Sequence, residues 1–192
     1  MSVVTLTDAW PKPGEPFTIR DLDRMPDDRH RYELLDGTLM VSPAPGPPHQ
    51  RVAVMLCHAL ELACPEEFIV FPNVGVRIGP RSALEPDVVV ARPSDVSGAR
   101  LTRLPVLVAE ILSPDSALRD LNLKKAAYER FGIPSYWVID PDLEQPGLRA
   151  FELVSGVYRE VAQVTGDESF HADRPFPAEI VPSRLVAKLR IR

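Results

Sequence analysis

The stretch VLVAEILSP, Val106–Pro114, decides the fold class, because it sets a single carboxylate, Glu110, in a run that is otherwise apolar up to Ser113. A continuous apolar run of this length, bounded by turn signals, reads as a strand buried on both faces. An ionised carboxylate in that setting is costly unless it is paired or hydrogen-bonded. Glu110 is therefore neutral, or paired, or placed to meet a cation. Downstream, Ser113-Pro114-Asp115-Ser116 ends the strand and offers Asp115 or Ser116 as the cap of a helix from about Ala117 to Phe131. Gly132-Ile133-Pro134 stops that helix in the manner of a Schellman motif, and SYWVID, Ser135–Asp140, follows as another buried strand.

Upstream, EPDVVVA places a second carboxylate, Asp87, at the mouth of an apolar strand. Acids at strand ends often only face water, so that reading stands beside a functional one. EFIVFP and VGVRI supply two more candidate strands. RYELLDGTLMV is a hairpin whose Asp36-Gly37 favours a type I′ turn, and LRAFELVSGVYREVAQ is a second hairpin around Ser155-Gly156. Helices are expected over Phe17–Met25, capped by Thr18, and over His49–Leu62. A last strand near Glu179–Val181 and a short helix after Pro182 close the chain. Strands thus outnumber helices, which predicts an α/β or α+β domain with a mixed sheet. Residues 1–16 are Pro-rich and read as an N-terminal arm, leaving 17–192 as a single domain.

Helix geometry selects a partner for the acids. With Leu121 as zero and about 100° per residue, Tyr128, Ala117 and Phe131 define the buried stripe, and Lys124 falls within it at about −60°. Lys125 falls on the polar side at about +40°. Asp120 borders the Lys124 face and stands one turn away from it. A structural ion pair of Lys124 with Glu110 or Asp87 accounts for part of the pattern. Two buried acids against one lysine still leave a surplus negative charge, which a divalent cation would neutralise. Carboxylate oxygens suit Mg²⁺ or Mn²⁺ better than Zn²⁺, which usually recruits His or Cys. Such a site serves phosphodiester hydrolysis, the lysine orienting water or stabilising charge on a phosphate oxygen.

The charge of the 192-residue chain is −5, which counts mildly against tight non-specific binding of nucleic acid. The arginines between Arg77 and Arg103 read as a solvated loop surface. No apolar run is long enough to span a membrane and no signal peptide opens the chain, so the cytoplasm is the expected location. Cys57 and Cys64 share one apolar helical pattern but lie roughly 10 Å apart along it, too far to bridge. His49 follows SPAPGPP at the start of its helix, a context that would place it near the site, and a capping role is the commoner reading; Tyr128, on the Lys124 face, packs or hydrogen-bonds, and Tyr136 and Trp137 read as core.

The run PDVVV, then VAEILSPDS, then RDLNLKKAAYERFGIPSYWVIDP resembles the bacterial family labelled putative restriction endonuclease, within the PD-(D/E)XK nuclease superfamily. The resemblance covers about Phe17 to Pro141, and RYELLDG adds to it. It implies a restriction-endonuclease-like core, a mixed β-sheet flanked by α-helices, with a divalent-metal site. Asp87 matches the aspartate of the first motif and Glu110 the acid of the second. The superfamily pattern places a lysine two residues after that acid, where this chain has Leu112; the resemblance assigns the role to Lys124 in the following helix. Glu33 matches an acid that many such nucleases supply from an earlier element. The resemblance thus implies Asp87, Glu110, Lys124 and Glu33 as catalytic residues, Asp87, Glu110 and Glu33 as metal ligands, Mg²⁺ or Mn²⁺ as cofactor and DNA as substrate. A homodimer is expected from the symmetry of double-strand cleavage, with the region beyond Pro141 as pairing surface. The alternatives are a catalytically silent nucleic-acid-binding protein that keeps the fold, and a structural or interaction protein whose charges only fix it.

Overall fold

The computed structural model of the chain describes residues 11–12, 14–98, 100–113 and 119–189, with only the backbone of residues 97 and 119–121. The proposed cap at Asp115 or Ser116, the helix start at Ala117, the Asp120 side chain and most of the N-terminal arm lie outside the described residues. In chain order the elements are α1 (Ile19–Leu22), β1 (His30–Leu35), β2 (Thr38–Pro43), α2 (Pro47–Glu61), β3 (Ile69–Pro72), β4 (Gly75–Gly79), β5 (Ser82–Leu84) and β6 (Val88–Ala91). There follow β7 (Val96–Ser97), β8 (Arg100–Leu101), β9 (Leu107–Ile111), a π-helical segment (Arg119–Lys124) that continues into α3 (Lys125–Phe131), β10 (Ser135–Asp140), β11 (Gly147–Val154) and β12 (Val157–Thr165). β13 (Phe170–Ala172), β14 (Ala178–Ile180) and α4 (Pro182–Val186) complete the fold.

The central sheet has the order β12-β11-β10-β9-β6-β3. It is mixed: β9 and β10 run parallel, the rest antiparallel. A parallel pair needs a crossover, and here the π segment and α3 make it. One face of this sheet carries Val88, Val90, Leu107, Ala109, Ile111 and Trp137 into a core with α2 and α4. The other carries Val89, Val108, Tyr136 and Val138 into a second core shared with α3 and a second sheet, β2-β1-β5-β4-β8-β7. This two-sided burial explains why β6 is an unbroken apolar run and β9 is apolar but for Glu110.

Both hairpins form as their turn residues dictate. Asp36 and Gly37 have φ of 52° and 84°, and Ser155 and Gly156 have 52° and 81°, the left-handed pair of a type I′ turn. Gly37 is also required sterically, because a Cβ there would lie 2.6 Å from the Pro16 Cβ. Thr18 caps α1 in a reciprocal capping box with Asp21. Gly132, at φ 86°, ends α3, and Ile133 N–H closes the Schellman bond to the Tyr128 carbonyl. Two expectations need correction. The helix before Gly132 is not uniformly α-helical: its Arg119–Lys124 part is wound more widely. α2 ends at Glu61, so Cys64 lies beyond the helix that holds Cys57; both thiols are free and half-buried against the first core.

Candidate active site

Extending the β6–β9 register one step past Val88↔Ala109 brings Asp87 opposite Glu110. Directly opposed residues in an antiparallel pair hold their Cβ atoms about 4.5–5.5 Å apart. Each residue is 1% exposed, on the sheet face that looks toward the second sheet. The Asp87 carboxylate is held on three sides. Its Oδ1 accepts from Arg31 Nη2 at 2.8 Å, and its Oδ2 accepts from the Ile111 N–H at 2.8 Å and lies 3.0 Å from His49 Nε2. Burial is the largest influence on its acidity and pushes the pKa up; the His49 hydrogen bond, the Arg31 charge and the Ile111 N–H together outweigh it and hold Asp87 below the ordinary aspartate value.

This depression has a stability consequence. A carboxyl whose folded pKa lies below its unfolded one contributes stability above the unfolded value, and that contribution is lost as pH falls through the folded pKa. The melting temperature of the native chain is therefore expected to fall more steeply below about pH 4 than that of Asp87→Asn. Parallel pH profiles of the two proteins by thermal circular dichroism would contradict it.

Glu110 accepts from the Tyr128 hydroxyl at 2.6 Å and from Lys124 Nζ at 3.1 Å, both on Oε1. Lys124, only 2% exposed, lies at the start of α3, so Lys124 and Tyr128 stand four residues apart and reach the same carboxylate from one face. Burial, then the charges of Glu110 and Glu33, keep the Tyr128 hydroxyl protonated well above the usual tyrosine range. Glu33, on β1 of the second sheet and 2% exposed, offers Oε1 to Lys124 Nζ at 3.0 Å and to the Glu85 N–H at 2.9 Å. The lysine thus bridges acids from both sheets. Arg31, two residues before Glu33 on the same strand, also donates to the Glu85 carbonyl at 3.3 Å. Its guanidinium stays charged, since Asp87, Glu110 and Glu33 outweigh the burial that would lower its pKa.

All four acids and bases expected from sequence, Glu33, Asp87, Glu110 and Lys124, are therefore brought together. Leu112, in the superfamily's lysine position, sends its N–H to the Ile139 carbonyl and packs against the second core. Sequence reasoning missed Arg31 and took His49 for a cap, whereas Tyr128, expected on the Lys124 face to pack or hydrogen-bond, does both. The cap of α2 is Gly46, without a side-chain hydrogen bond; prolines occupy the first two helical positions, and His49 comes third with its ring on Asp87. A cavity of about 80 Å³ opens beside these groups, lined by Arg31, Glu33, His49, Asp87, Ile111 and Lys124 among others. Lys125, by contrast, lies over the Phe151 ring at 3.9 Å, away from the acids.

Three buried carboxylates (Glu33, Asp87, Glu110) face two cations (Lys124, Arg31) among the described residues, leaving one surplus negative charge if His49 is set aside. Asp87 Oδ2 and the Ile111 carbonyl converge on His49 Nε2 at 3.0 and 3.1 Å. Among the described residues no group of three or more His, Cys, Asp or Glu side chains is arranged to hold an ion. Mg²⁺ does not require one: it keeps several waters and is held by one or two carboxylates plus substrate phosphate oxygens. Two carboxylates and a backbone carbonyl are oxygen donors of the kind such an ion takes.

Opposed acids on adjacent strands of a mixed sheet, with a lysine from the next helix bound to one of them, sit in a restriction-endonuclease-like fold. The chain belongs to the Uma2 family, described as putative restriction endonuclease, which it matches over residues 19–187. No functionally curated protein matches it. It is similar in structure to a putative nuclease belonging to DUF820 from Anabaena variabilis ATCC 29413, with TM-score 0.70 and 18% identity over 91% of this chain and 100% of that one. Among the described residues no helix is long and apolar enough to cross a membrane.

Proposed function

We propose that the protein is a metal-dependent endonuclease that hydrolyses phosphodiester bonds in DNA. The observation that carries this reading is the opposition of Asp87 and Glu110 beside a small cavity, with a fully buried lysine joined to one of them. Asp87, Glu110 and the Ile111 carbonyl would hold Mg²⁺ or Mn²⁺. When bound, such an ion polarises a phosphoryl oxygen and makes water more acidic. Lys124, held between Glu33 and Glu110, presents a fixed positive charge to the cavity, where it orients the attacking water or stabilises charge on the phosphate. Tyr128 fixes the orientation of Glu110, and Arg31 fixes that of Asp87. Glu33, grouped with the ligands on the resemblance, is better supported as the residue that positions Lys124, because its Oε1 already takes the ammonium and the Glu85 N–H. The reading extends to a cytoplasmic homodimer built on residues 17–192, paired through the region beyond Pro141.

One observation favours a second reading, a silent binding protein: Asp87 already has three donors within 3.0 Å. End-labelled duplex DNA, single-stranded DNA and RNA, incubated with the protein in Mg²⁺, Mn²⁺ or EDTA, separate the two. Cleavage of DNA in either metal, abolished by EDTA, is the expected result. Binding without cleavage in every metal would favour the silent protein.

A further inference from the structure

The imidazole of His49 sits where an ion would have to sit. Its Nε2 is 3.0 Å from Asp87 Oδ2 and 3.1 Å from the Ile111 carbonyl oxygen. A carbonyl oxygen can only accept, and so can the ionised Asp87 carboxylate, so Nε2 must carry the hydrogen that faces them both. A nitrogen bearing a hydrogen in that direction has no lone pair to give a metal there. Two acceptors sharing one N–H are a poor use of their lone pairs, yet they are the two oxygens that a hard cation would take together. The placement is also a fixed one. Pro47 and Pro48 set the first turn of α2 and so bring the His49 backbone to the site, where its side chain is 13% exposed.

We infer that His49 is a placeholder in the ion site: its Nε2–H satisfies Asp87 and the Ile111 carbonyl in the ion-free protein and must be displaced when the divalent cation binds. It is a positioning residue and not a metal ligand. The inference rests on the reading of Asp87 as an ion ligand. Its consequence is a tuned affinity, because each binding event breaks a charge-assisted hydrogen bond before the oxygens are released to the metal.

The test is Mn²⁺ binding to the full chain, read from the free-ion paramagnetic resonance signal, for the native protein, His49→Ala, His49→Gln and Asp87→Ala. His49→Ala is expected to bind Mn²⁺ about tenfold more tightly, one decade being the equivalent of a charge-assisted hydrogen bond. His49→Gln, which keeps an N–H donor, is expected to stay near the native affinity. Unchanged or weaker binding by His49→Ala would overturn the inference and make His49 a bystander or a ligand. If Asp87→Ala binds as well as the native chain, or the native chain binds no Mn²⁺, the ion-site reading itself fails. Should His49→Ala not fold, the native chain decides through its imidazole ¹⁵N–¹H spectrum. Loss of the protected His49 Nε2–H signal at saturating Mg²⁺ supports displacement, and its persistence there overturns it.

Discussion

Lys124→Ala is expected to be the most damaging single substitution at the site, in stability as well as in activity. The ammonium lies 3.0 Å from Glu33 and 3.1 Å from Glu110, and all three groups are at most 2% exposed. Its removal leaves two buried carboxylates without the ammonium they share. Breaking a buried ion pair by deleting one partner costs about 3–5 kcal/mol, which for a chain of this size lowers the melting temperature on the order of 10 °C. Any cleavage should fall by roughly 10²–10³-fold, the usual loss when one fixed donor to a developing charge is removed. Lys124→Arg should restore part of the stability but little of the activity, because a planar guanidinium does not place its charge where an ammonium does. A melting temperature within a few degrees of native for Lys124→Ala would show that the two acids are not held together by this lysine.

Glu110→Ala should behave in the opposite proportion. Lys124 keeps Glu33, so no charge is stranded, and the main structural loss is the acceptor of the buried Tyr128 hydroxyl. That loss is worth about 1–3 kcal/mol. Activity, by contrast, should disappear, since the proposed function makes Glu110 one of the two acids that hold the ion. Mn²⁺ affinity should drop by more than the roughly 10–100-fold that follows loss of an outer-shell partner. Side-by-side melting and Mn²⁺ titration of the Lys124 and Glu110 variants would reveal this crossover. Equal loss of stability in both would mean that the cluster is structural in the first place.

The parts of the fold legible in the sequence are those fixed by local chemistry. Asp36-Gly37 and Ser155-Gly156 announce type I′ turns because few other residues accept positive φ there, and Gly132 ends α3 for the same reason. The strands β6 and β9 were legible from apolar runs that only Glu110 interrupts. The short strands β5, β7, β8 and β13 were not, because two or three residues contain no period; they exist only through pairing, β5 with the distant β1, β8 with β4, and β7 and β13 with the strands that follow them. At the site, Glu110 and Lys124 could be found from one strand and one helix face. The π-helical winding before Lys124 breaks the assumption of 100° per residue, but the lysine borders regular α3 and keeps its one-turn relation to Tyr128. Arg31 did carry a signal: it stands two residues from Glu33, and the period of a strand sends both to one face. His49 carried only its SPAPGPPHQ context, which a capping role outweighed, since the direction of α2 toward Asp87 is set by packing of that helix on the central sheet.

The claim that this site is a metal-dependent nuclease centre is tested most directly by nicking of supercoiled plasmid at excess protein. The native chain and Glu110→Ala would be compared in Mg²⁺, with and without EDTA. The account predicts nicking by the native chain that EDTA abolishes and that Glu110→Ala lacks under every condition. Equal nicking by the two proteins, or nicking by the native chain that survives EDTA, would contradict it.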